Sequence, residues 1–63
     1  MRDDVRQMLV AKVKRQYGIT ITNFAKIEEI CYYESVRNNL SYADYRELCR
    51  FVGNDLGIQE ATV

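Results

Sequence analysis

Apolar side chains recur at every fourth position near the start of the chain: Val5, Leu9, Val13 and Tyr17, with Met8 beside the same stripe. That spacing predicts an amphipathic helix over 3–17. Asp3 and Asp4 open it and Lys12, Lys14 and Arg15 fall in its later turns, which suits the helix dipole. Gly18 is placed to close it as a left-handed cap. Ile19 to Thr22 alternate like a strand, but nothing follows that pairs as a hairpin, and Phe24, Ile27 and Ile30 continue at three-residue spacing. A second helix is therefore predicted, with Thr20 as its N-cap and Asn23 reaching back toward it.

The apolar stripe does not continue smoothly through Cys31-Tyr32-Tyr33-Glu34, where bulky side chains cluster and a break is expected, although no Gly or Pro forces one. Val36 and Leu40, one turn apart, then anchor a short third helix over 35–40. Ser41-Tyr42-Ala43-Asp44 has the form of a capping box and starts a last helix with Tyr45, Leu48, Cys49 and Val52 on one face. Gly53 or Gly57 ends it, and Leu56 and Ile58 latch onto the body. The fold class expected is all-α: a compact orthogonal cluster of four to five short helices in one domain over 1–58, with a frayed tail over 59–63. Its core should hold Leu9, Val13, Phe24, Ala25, Ile27, Val36, Leu40, Tyr45, Leu48 and Val52.

Composition narrows the functions open to such a cluster. At 63 residues there is room for a single core, and the chain lacks His, Pro and Trp. The absence of His removes the commonest general acid–base and zinc-binding side chain. Two cysteines, Cys31 and Cys49, are too few for a zinc ribbon or a disulfide-rich scaffold and read as small buried hydrophobes in a reduced setting. No run approaches a membrane span and Met1-Arg2-Asp3-Asp4 is not a signal peptide. The expectation is a cytoplasmic protein that is not an enzyme, with no cofactor, metal, membrane or small-molecule substrate. Net charge is zero, yet residues 1–26 carry six cationic side chains against two acidic ones and residues 27–63 carry three against seven. A basic surface can therefore still form locally.

Outward positions on the short third helix would be Tyr33, Glu34, Arg37 and Asn38, residue types able to read guanine, adenine and cytosine edges in a major groove. Gly18 to Ala25, then Ser35 to Ser41, then Leu48 through Gly53-Asn54-Asp55-Leu56-Gly57-Ile58 resemble the lambda-repressor-like helix-turn-helix family of Cro- and Ner-type regulators. The resemblance implies a small sequence-specific DNA-binding transcriptional repressor of phage or mobile-element type, binding a double-stranded operator as a homodimer. It places Tyr33, Glu34, Arg37 and Asn38 at the base edges and Thr20, Thr22, Lys26, Ser41 and Tyr42 at phosphates. An accessory factor that bends DNA is a further reading in the same class.

A different class of function rests on the tyrosines. Five in a chain this short are many, and Tyr is enriched at protein interfaces. Tyr32, Tyr33 and Tyr42 would cluster about the third helix, with Glu28, Glu29 and Glu34 as an acidic rim. The alternative is thus a protein-binding module, an antirepressor or inhibitor of a regulatory protein, on the same helix-turn-helix scaffold.

Overall fold

The computed structural model describes residues 1–60 of the chain. Three α-helices follow one another: α1 (Asp3–Tyr17), α2 (Phe24–Arg37) and α3 (Tyr42–Leu56), with a single 3-10 turn, Gly18–Thr20, after α1. The first helix spans the predicted residues, with Asp3 and Asp4 in its first turn and Lys14 and Arg15 in its last. Gly18 does not take the left-handed conformation expected of it, because its φ of −55° carries the chain straight into the 3-10 turn.

The second helix departs most from expectation. It begins at Phe24, and its N-cap is Asn23, whose Oδ1 accepts from the Lys26 backbone N–H at 2.9 Å, while Thr20 turns back to donate to the Tyr17 carbonyl. It then runs unbroken through Cys31 to Glu34, where a break was expected, and ends at Arg37. The separate helix over 35–40 does not exist, and neither does the expected set of four to five helices with a distinct recognition helix. The chain stops only where Asn39 adopts φ 56°, with the Leu40 N–H bonded to the Ser35 carbonyl at 2.9 Å and the Asn39 N–H to the Val36 carbonyl at 3.3 Å. Asn tolerates that left-handed position better than most side chains, so it serves as the helix stop that Gly usually provides.

Ser41 caps α3 as predicted, its Oγ accepting from the Asp44 N–H at 3.1 Å. Gly57, at φ 71°, closes that helix, while Gly53 remains inside it. All three helices meet in one core of Leu9, Val10, Val13, Ile27, Ile30, Cys31, Leu48, Cys49 and Val52, with Ile21 joining from the loop. A radius of gyration of 10.6 Å is what a compact chain of this length should have. Of the expected core residues outside it, Phe24, Leu40 and Tyr45 are partly buried and pack against it, whereas Ala25 is exposed and Val36 is 64% exposed. The latter two lie on the side of α2 opposite Ile27 and Cys31. Of the tail expected to fray, Glu60 meets Arg46 at 2.7 Å, and 61–63 fall outside the described residues.

Candidate functional site

The unbroken α2 separates the residues expected at base edges. Tyr33 and Arg37, one turn apart, share the outer side of the helix, where the Arg37 guanidinium lies 5.7 Å from the Tyr33 ring centroid. Glu34 points the other way and is fully buried, correcting its expected outward position. Its Oε1 accepts from Lys12 Nζ of α1 at 3.0 Å, while Oε2 has no hydrogen-bond partner among the described residues. Asn38 finishes the helix, its Nδ2 donating to the Glu34 carbonyl at 2.7 Å. The four residues thus present no common reading face.

The expected phosphate contacts are likewise dispersed. Thr20 and Thr22 are exposed, and the Thr20 hydroxyl is engaged by the Tyr17 carbonyl at 2.7 Å. Lys26 sits 3.7 Å from Glu29, the Ser41 hydroxyl is committed to the α3 cap, and Tyr42 is 75% exposed beside Tyr45. Among the described residues, six of the nine cationic side chains are ion-paired: Arg2, Arg6, Lys12, Lys14, Lys26 and Arg46. Arg15, Arg37 and Arg50 have no carboxylate partner among the described residues. The charge asymmetry along the sequence is therefore largely cancelled by pairing in space.

The fold also leaves a run of large apolar side chains exposed. Tyr32, Tyr33 and Val36 are each more than half exposed along the outer side of α2. Tyr32 stands edge-on to Tyr45 with ring centroids 5.9 Å apart, and Tyr42 flanks Tyr45 at 5.7 Å, so an aromatic cluster spans α2 and the start of α3. Tyr45 is the anchored member: its hydroxyl donates to the Glu28 carbonyl at 3.2 Å, and burial pushes its phenol up to about 12.

Two depressions flank this ridge. One of about 620 Å³ is floored by Ile30 and walled by Tyr17, Tyr33 and Val36; the other, of about 380 Å³, lies between Tyr32, Val36, Leu40 and Tyr42. Tyr32 and Val36 line both, so the two form one continuous apolar surface. Ile19, fully exposed, lies in the turn between Tyr17 and Thr20 at its edge. Sequence reasoning found the tyrosines but assigned Val36 to the core. The overlooked signal is that α2 carries apolar residues on both sides, Ile27, Ile30 and Cys31 inward and Tyr32, Tyr33 and Val36 outward, a pattern that belongs to a helix covered on both sides.

The thiols lie elsewhere. Cys31 and Cys49 are both fully buried where α2 meets α3, and the neighbouring Cys49 thiol, followed by burial, pushes the Cys31 thiol up, away from a reactive thiolate. No group of three or more potential metal ligands comes together among the described residues. Among the described residues no helix is long and apolar enough to cross a membrane. No protein-family model matches the chain, and no curated protein or solved structure matches it either.

Proposed function

We propose that this chain is a small, non-catalytic protein-binding module whose docking surface is the outer side of α2. The observation that carries the reading is the run of exposed Tyr32, Tyr33 and Val36 over two apolar depressions, on a body where six of the nine cationic side chains are ion-paired among the described residues. Tyrosines around an aliphatic centre are the composition of an interface hot spot, and each such anchor is worth about 2 kcal/mol or more when truncated. The repressor reading needs a free-standing recognition helix and unpaired cations. Here the segment 35–40 is divided between the end of α2 and a turn, and most cations face carboxylates.

Affinity capture with parent, Tyr32→Ser and Val36→Asp proteins tests the reading, because both residues are exposed and both variants should fold. The expected result is a protein partner retained in high salt by the parent and lost by both variants. Selection of random duplex DNA serves as the counter-test. Enrichment of one sequence, with affinity falling steeply as salt rises and unaffected by Val36→Asp, would refute the docking surface and restore the operator reading.

A further inference from the structure

We propose that the occupant of this surface is a second copy of the chain, packed antiparallel through α2 about a two-fold axis near Tyr33. The proposal rests on the docking reading above and names its partner. Glu29, Tyr33 and Arg37 follow at four-residue intervals and form one row along the exposed side of α2. An acid stands at one end of the row and a cation at the other, about 12 Å apart at the helical rise, with a phenol ring midway. They are too far apart to pair within one helix. Among the described residues Glu29 makes only a long, exposed contact to Lys26 at 3.7 Å, and Arg37 rests on Tyr33 without an ion-pair partner.

Turning that row end for end about its midpoint sets each Glu29 against the second copy's Arg37 and lays the two Tyr33 rings beside each other. A parallel arrangement would instead oppose like charges. The pattern is therefore self-complementary under a two-fold axis, as an isologous interface requires. Packing of such four-spaced rows against each other is the commonest way helices meet in globular proteins. The depression alongside the row, walled by Tyr17 and Lys26 over Ile30, offers about 620 Å³ to receive the facing row. A standard interface takes about 600–1,000 Å² from each copy. That is less than a quarter of the 4402 Å² that this protein exposes.

The test is sedimentation equilibrium of the full chain over a wide concentration range, with circular dichroism to verify that each variant is folded. The parent should associate to a dimer. Glu29→Arg and Arg37→Glu should each weaken association about tenfold or more, since each opposes like charges across the axis. Mixed in equal amounts, the two variants should regain dimers, because every reversed site then faces its complement. Val36→Glu, which does not depend on charge matching, should be monomeric.

A parent that stays monomeric at every concentration overturns the proposal, and so does a dimer indifferent to both reversals or a mixture that fails to recover. If the monomeric parent still captures another protein through Tyr32 and Val36, the second copy is excluded as occupant and the docking reading survives. If capture is also indifferent to those residues, both fail.

Discussion

Replacing Lys12 with Met should come close to unfolding this protein, although Lys12 is a partly exposed residue on the first helix. Among the described residues its Nζ is the only group paired with the carboxylate of Glu34, which has no solvent exposure and has one oxygen without a hydrogen-bond partner there. Removing one member of a buried ion pair leaves an uncompensated charge in the interior, which costs about 3–5 kcal/mol. The partial exposure of Lys12 argues for the lower end, about 3 kcal/mol. A domain of this length has about 3–9 kcal/mol in total, so the loss takes a third of its stability or all of it. In urea, with a slope of about 1 kcal/mol/M for so small a protein, the midpoint should fall by about 3 M.

The double variant Lys12→Met with Glu34→Met should recover most of the loss, because an apolar pair of similar volume has no desolvation to compensate. Urea melts followed by circular dichroism on the parent, both single variants and the double form the cycle that isolates the pair. A Lys12→Met protein within about 0.5 kcal/mol of the parent would show that Glu34 finds water or another donor, and so would a double variant no better than the single.

Two further substitutions probe the packing. Gly53→Ala should destabilise by about 1–2 kcal/mol despite the better helix propensity of Ala, because the new Cβ would lie 2.6 Å from the Ile58 carbonyl oxygen and 3.1 Å from the Phe24 ring. The Ile58 N–H is itself bonded to the Gly53 carbonyl at 2.9 Å, so that oxygen has little freedom to move. A higher melting temperature in this variant would refute the argument. Tyr45, raised by burial to about 12 from an ordinary 10, holds its proton more tightly when folded than when unfolded. Its contribution to stability is therefore complete below pH 10 and is lost as pH climbs through about 12. A tyrosinate absorbance titration should show a late-ionising phenol in the parent that disappears in Tyr45→Phe; an unchanged late step would place the buried phenol elsewhere.

How far the sequence is legible depends on how many sides of a helix are apolar. In α1 the stripe from Val5 to Tyr17 has charged residues on its flanks, and the predicted span matches the structure. In α3 the Ser41 cap and the left-handed Gly57 bracket a single apolar face, and both ends are readable from residue chemistry. Along α2 the same reasoning fails for a physical reason. Three exposed apolar residues, Tyr32, Tyr33 and Val36, fill the side that ordinarily supplies polar contrast, while a buried carboxylate, Glu34, interrupts the inner side. Those two inversions erase the 3.6-residue period and imitate a break.

With both inversions allowed for, the inner side reads Phe24, Ile27, Cys31 and Glu34 at steps of three, four and three, continuous to the Asn38-Asn39 pair that stops the helix. The features that hid the helix are also the ones with chemistry to explain: Glu34 is tolerable only because Lys12 reaches it, and the outer apolar side is tolerable in water only up to a modest area. The proposed docking would cover the outer side of α2, where Tyr32, Tyr33 and Val36 are exposed. The described parts of α1 and α3 each expose one large apolar side chain, Met8 and Tyr42, against three on α2, so the helix where pattern reading fails is also the one that presents the proposed docking surface.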